Sequence, residues 1–270
     1  MSFNYREYYV KNYLSRFLKK LWKLENLFND YPVEQKCVLP NGCFNIAILQ
    51  GPGLIVRSQN WEQQLSEGIY LCGQFTKPVY VDVLAHTNAT MVQLHPWTPA
   101  YFGLQNATVL TDNILAISDV FKGIILNNEL ITTAGYADLI RQLAIAFTSF
   151  AATNKEAAEV IEKASRMIFS ANGNIKISAI AQVLNCSTRH LQKSFKSHVG
   201  LTPKELSAII QLRTSVDDIA YPPDGQITLS RVALENKFYD QAHFNNKFQL
   251  LLGKSPKNFK STDYLLSLKK

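Results

Sequence analysis

The sequence predicts an α+β protein of two domains: a β-rich sandwich or barrel-like domain, then an all-α domain with two helix-turn-helix units. Three observations predict it. Short apolar runs bounded by Gly, Pro and Asn occupy residues 37–118, as strands do. From Ala137 onward apolar residues recur at intervals of three and four, the helical period. The C-terminal part then repeats itself. The boundary is expected near residue 150, with residues 1–150 β-rich with flanking helices and 151–270 helical.

Within residues 8–28, Val10, Leu14, Leu18, Leu21 and Leu24 fall at helix-like intervals, while the Tyr and Trp residues there also suit a strand near Leu21–Leu24. Strands are expected at Phe44–Leu49, Leu54–Arg57, Gly68–Cys72, Val79–Leu84 and Thr90–Leu94, the first two separated by the turn Gly51-Pro52-Gly53. Pro96 and Pro99, either side of Trp97, end the strand pattern. Two helices follow. Leu139, Leu143, Ala146, Phe147 and Phe150 share a face of one, and Ala157, Val160, Ile161, Ala164 and Ile168 a face of the next. The polar, Ala-rich stretch Thr153–Glu159 marks the joint between domains.

The repeat reads Ile177–Leu184, Asn185-Cys186-Ser187, Thr188–Phe195, Gly200 and Pro203, then Leu229–Asn236, Lys237–Asp240, Gln241–Phe248, Gly253 and Pro256. Each copy has the parts of a helix-turn-helix, expected at about 177–198 and 229–251. In the first, Ile177, Ile180, Ala181 and Leu184 form one apolar face, and small Ala181 lets the second helix cross closely. Asn185 suits a left-handed turn position. Ser187 is a good N-cap. Leu191 and Phe195 point inward, leaving Thr188, Arg189, Gln192, Lys193 and Lys196 outward, a face able to enter a major groove. In the second copy Asp240 is the cap and Phe244 and Phe248 face the core. Tyr239, Asp240, Gln241, Asn245, Asn246 and Lys247 are the candidate contacts, with Gln241 and Asn246 the best placed for base edges. Lys237 holds a turn position that glycine fills more easily.

Charge supports a polyanion-binding half. Of the 270 residues, 1–159 carry 12 Lys/Arg against 13 Asp/Glu, and 160–270 carry 16 against 8. With 47% hydrophobic and 18% charged residues the composition is that of a globular protein. No apolar run approaches the roughly 18 residues of a membrane span, and Lys19, Lys20 and Lys23 interrupt what would be a signal centre. A cytoplasmic protein is expected. Cys37, Cys43, Cys72 and Cys186 form no CxxC pair and read as reduced, packed thiols.

The C-terminal repeat resembles the AraC/XylS family of bacterial transcription regulators. The resemblance rests on Ile180-Ala181, Ser187-Thr188-Arg189-His190-Leu191, Phe195-Lys196, Gly200-Leu201-Thr202-Pro203, Tyr239-Asp240-Gln241-Ala242-His243-Phe244, Phe248, Gly253, Ser255-Pro256 and Phe259, over about Glu159–Lys260. It implies a linker helix at about 203–219, buried through Leu206, Ile209, Ile210, Leu212, Val216 and Ile219. It also implies two recognition helices in successive major grooves, about 34 Å apart. The chain departs from the family pattern at Gln211, Asp218, Lys237 and Asn246. Trp22, Leu39-Pro40-Asn41-Gly42-Cys43, Gly73-Gln74-Phe75, Leu94-His95-Pro96-Trp97 and Phe102-Gly103-Leu104 look like an effector domain found ahead of such modules.

The expected function is therefore a sequence-specific DNA-binding transcription regulator, modulated through its N-terminal domain. Its partner is double-stranded DNA; a small-molecule or protein effector, RNA polymerase and a second copy of the chain are further candidates, a membrane is not. Trp61, Trp97 and Tyr101 are candidate ligand contacts. No cofactor, catalytic residue or metal is expected. An alternative is a ligand-independent repressor or architectural protein whose β domain only dimerises. A metal-dependent enzyme using His86, His95 and Asp82 is a weaker one, because no paired-His motif, phosphate loop or nucleophile elbow appears. Tyr13–Phe28 also admits a membrane-surface helix, with packing on the β domain preferred.

Overall fold

The computed structural model describes residues 4–11, 13–121, 135–150, 155–222 and 227–264. Two antiparallel sheets face each other. The larger has the order β1 (Asn4–Tyr9), β2 (Leu18–Asn26), β9 (Thr87–Leu94), β4 (Phe44–Gln50), β7 (Gly68–Cys72), β10 (Ile114–Ala116). The smaller has the order β3 (Val33–Val38), β8 (Val79–Val83), β5 (Leu54–Arg57), β6 (Glu62–Leu65). Among the described residues from Tyr136 onward, seven helices follow: α1 (Tyr136–Phe150), α2 (Lys155–Ser170), α3 (Ile177–Val183), α4 (Thr188–Val199), α5 (Pro203–Ala220), α6 (Leu229–Glu235) and α7 (Gln241–Leu252). The expected combination of a β-rich domain and a helical domain with two helix-turn-helix units is the observed one.

The larger sheet is buried on both faces, which makes the molecule three layers deep. Ala47, Leu49, Ala89, Met91 and Cys72 point at the smaller sheet. Their neighbours Phe44, Ile46, Ile48, Val92 and Leu94 point the other way, into a core shared with the helices. Period-two side-chain alternation sends successive residues to opposite faces, so both faces of these strands are apolar. Residues 8–28 resolve into the end of β1, a 3-10 turn at Tyr13–Arg16 and β2. Leu18, Leu21, Trp22 and Leu24 are buried in the sheet, so the membrane-surface helix is overturned.

The helical core is continuous with this outer face. Leu14, Phe17, Trp97 and Tyr101 pack with Leu139, Leu143 and Phe147 of α1 and Ile161, Ala164 and Ile168 of α2, and onward to Leu191 and Phe195 of α4. The side chains of Ala146 and Phe150, and the joint residues Thr153 and Asn154, lie outside the described residues. A second helical core gathers Leu212 and Val216 of α5 with Val232, Phe244 and Phe248, and takes in Cys37 and Leu39 from the end of β3.

Candidate nucleic-acid interface

The first helices of the two pairs α3–α4 and α6–α7 end on the same bonding pattern, although the second turn is one residue longer. Cys186 N–H donates to the Ala181 carbonyl at 3.0 Å and Asn185 N–H to Gln182 at 3.2 Å. Phe238 N–H donates to Ala233 at 2.9 Å and Lys237 N–H to Leu234 at 3.0 Å. This is the paired bonding of a Schellman C-cap, which needs a left-handed residue after the helix. Asn185 (φ 50) and Lys237 (φ 57) supply it. The following helices begin on matching caps: Ser187 Oγ accepts from His190 N at 3.1 Å, and Asp240 Oδ1 from His243 N at 2.6 Å. They end on left-handed Gly200 and Gly253.

Buried anchors fix which way the second helix of each unit faces. Leu191, Phe195 and Val199 in α4, and Phe244, Phe248 and Leu252 in α7, are buried. Opposite them Thr188, Arg189, Gln192 and Lys193 are exposed, with Lys196 half-buried and 3.6 Å from Glu205. On the second unit Tyr239, Asp240, Gln241 and Asn246 are exposed and Lys247 is half-buried. Gln241 Oε1 accepts from Ser230 Oγ at 2.7 Å. Asn245 departs from the expected outward set: it is half-buried, with its Oδ1 enclosed and unpaired, because it follows Phe244 toward the core. Asp240 serves the helix cap.

The linker helix α5 starts on a capping box. Thr202 Oγ1 accepts from Glu205 N at 3.2 Å while Glu205 Oε2 accepts from Thr202 N at 2.6 Å, with Pro203 in the first turn. Its two departures from the family pattern are engaged. Gln211 Nε2 donates to Asn174 Oδ1 and to the Asn236 carbonyl, both at 2.8 Å, and Asp218 accepts from Asn236 Nδ2 at 2.7 Å. Both polar groups thus tie α5 to the cap residue of α6.

The N-terminal domain grips this assembly at several points. Glu162 of α2, nearly buried, accepts from Arg16 Nε (3.0 Å), Tyr101 Oη (2.7 Å) and Arg166 Nε (3.0 Å). Burial alone would raise its carboxyl, but these bonds outweigh it and hold it below the usual value. The Arg166 guanidinium lies 4.7 Å from the centre of the Trp97 ring, and His95 stacks on Trp97 at 4.3 Å. Further along, Thr111 Oγ1 donates to the Gly200 carbonyl at 3.0 Å, and Ser197 Oγ donates to Gln105 O. A side chain on Gly200 would meet Thr111 Oγ1 at 2.6 Å and the Ala107 carbonyl at 2.8 Å.

The sequence-predicted ligand residues do not come together around a cavity. Trp97 and Tyr101 are buried and hydrogen-bonded to Arg16 and Glu162, as core aromatics. Trp61 donates to the Asp112 carbonyl at the sandwich edge. A cavity lies between the sheets, lined by Asn45, Ala47, Val81 and Met91 together with Trp22, Leu39, Pro40, Cys43 and Phe75 of the motifs that resemble an effector domain; none of these is among the ligand contacts expected from the sequence. His86 faces Asp30 at 3.6 Å, Asp82 pairs with Arg57, and His95 stacks on Trp97. Among the described residues no three His, Cys, Asp or Glu side chains gather as a metal site. The four cysteines are free, and among the described residues no helix is long and apolar enough to cross a membrane.

Comparison with known proteins agrees with the geometry. Residues 180–262 match a family described as "Helix-turn-helix domain", and residues 6–116 one described as "Domain of unknown function (DUF6597)". No curated protein matches the chain. Among solved structures it is similar to fatty-acid-bound ToxT from Vibrio cholerae, at 13% identity over 94% of this chain and 93% of that one, with a TM-score of 0.45. The C-terminal domain of AraT, a response regulator from Geobacillus stearothermophilus, is 16% identical over 43% of this chain and 95% of its own, with a TM-score of 0.36. The chain carries a match to a helix-turn-helix domain at residues 180–262, behind a match to a domain of unknown function at residues 6–116.

Proposed function

We propose that the protein is a sequence-specific DNA-binding transcription regulator whose N-terminal domain modulates how its two recognition helices are presented. The observation that carries this is the duplicated helix pair: two exposed polar faces held on the same buried anchors, caps and turns. Arg189 and Gln192 are the base-reading candidates on α4, with Lys193 and Lys196 for phosphate; Gln241 and Asn246 are their counterparts on α7. The apolar core running from the larger sheet into α4 supports modulation, since a change in one domain is felt by the other.

Selection from a random DNA pool at fixed salt tests the reading. The expected product is a site with two half-elements about 10–10.5 base pairs apart, one helical turn. Arg189→Ala should cost about 1–3 kcal/mol on that site and relax preference at one base position. Equal loss on selected and random DNA removes Arg189 from base reading, and a pool with no enriched sequence removes the function.

A further inference from the structure

The space between the two sheets is a cavity of about 50 Å³, enough for roughly three to five water-sized positions. Its walls are mostly aliphatic, but two polar atoms are buried there without a hydrogen-bond partner: the indole Nε1 of Trp22 and the Oδ1 of Asn45. The other two indoles are satisfied, Trp61 by Asp112 O at 2.9 Å and Trp97 by Arg16 O at 2.8 Å. An unmatched donor and an unmatched acceptor in one apolar chamber are costly unless something joins them. Trp22 pairs across the sheet with Met91, and Met91 with Ala47, two residues from Asn45, so both polar groups belong to one face of the sheet.

The lining also limits the charge of an occupant. It contains no Asp, Glu, Lys, Arg or His. Its thiols, Cys43 and Cys72, are kept neutral by burial, Cys72 being pushed up to about 12. A carboxylate or ammonium inside would lose its hydration with no counter-charge.

We propose that this cavity binds a small uncharged molecule with an apolar body and an amide-like head, whose oxygen accepts from Trp22 and whose N–H donates to Asn45. One wall gives the site a route to the helices. Leu39 lines the cavity and also belongs to the apolar cluster of Leu212 and Val216 of α5 and Leu252 of α7, and Leu39 and Pro40 together wall a gap beside those residues. Gly42 follows, so close to α5 that a β-carbon on it would lie 2.6 Å from Leu206. An occupant that shifts this wall shifts the linker helix. That coupling rests on the regulator reading above; occupancy of the cavity does not.

The full chain, labelled with ¹⁵N at its three tryptophan indoles, is titrated with butyramide and separately with butyrate, its charged isostere. The Trp22 signal, assigned by Trp22→Phe, should move saturably with butyramide, the Trp61 and Trp97 signals should stay, and butyrate should leave all three in place. Asn45→Val should weaken butyramide about three- to tenfold through the lost hydrogen bond, and Ala47→Leu, which fills the chamber, should abolish binding. A static Trp22 signal, an equal response to butyrate, or binding undiminished in both variants overturns the site. If Ala47→Leu does not fold, Val81→Phe fills the chamber from the opposite sheet. DNA affinity unchanged in saturating butyramide overturns the coupling alone, and a chain that binds no DNA still reports on the cavity through its indoles.

Discussion

Lys237 shows how one residue can keep a fold while resisting it. Its backbone is left-handed because the Schellman turn after α6 requires it, and a side chain there costs about 1–2 kcal/mol relative to glycine. Lys237→Gly is therefore expected to stabilise the chain by about 1 kcal/mol in urea unfolding, and Asn185→Gly by less, since Asn tolerates that conformation. A loss of stability in Lys237→Gly would refute the account. His95 carries a pH signature. Burial, with Lys19 nearby, lowers it from 6.5 to about 4. Between those values the unfolded chain takes up a proton that the folded chain refuses. The stability from the neutral ring is thus complete above about pH 6.5 and is lost as pH falls toward 4. His95→Phe keeps a ring on Trp97 and does not titrate, so its melting temperature should fall less between pH 6.5 and 4.5. Parallel falls in both proteins would sink the assignment.

At the scale of elements, the helix-turn-helix units were legible because every feature that makes them is local. Caps, turn residues and paired anchors all lie within about twenty residues of one another, and two copies confirm the reading internally. The sandwich was less legible. The sequence marks none of β1, β3, β6 and β10, and its apolar spacing over β2 fits strand and helix alike. Burial of the larger sheet on both faces erases the apolar–polar alternation that marks a strand, and in β2 it leaves Leu18, Leu21, Trp22 and Leu24 at spacings that mimic a helix. β6, with Glu62, Gln63 and Gln64, is a polar edge strand. The cavity was legible only in part: the effector-like motifs supply Trp22, Leu39, Pro40, Cys43 and Phe75, but the lining is gathered from strands far apart in sequence, whereas Trp97 and Tyr101 serve the core. The contact between α2 and the N-terminal domain gives an element-scale prediction. Glu162→Gln leaves Arg16 and Arg166 without their carboxylate. Because both guanidiniums are about half exposed, the loss should be about 1–3 kcal/mol, below that of a fully buried pair. Amide exchange should accelerate in α2 and at residues 13–16 together; faster exchange confined to α2 would contradict a shared contact.

At the scale of the molecule, the continuous core argues for one cooperative unit. Side chains of the larger sheet, α1, α2, α4 and α5 belong to a single apolar cluster. Thermal unfolding should give a single transition with calorimetric and van't Hoff enthalpies in agreement. Two separated transitions would show that the sandwich and the helices fold independently. The joint at Gly200 shows what such continuity does mechanically. Its α-carbon rests against the 107–111 turn, nearest the Thr111 hydroxyl and the Ala107 carbonyl, with no room for a side chain of its own. Any displacement of that turn therefore arrives undamped at the foot of α4. The rim of the sandwich and the C-terminal end of α4 are thus clamped together at a single glycine.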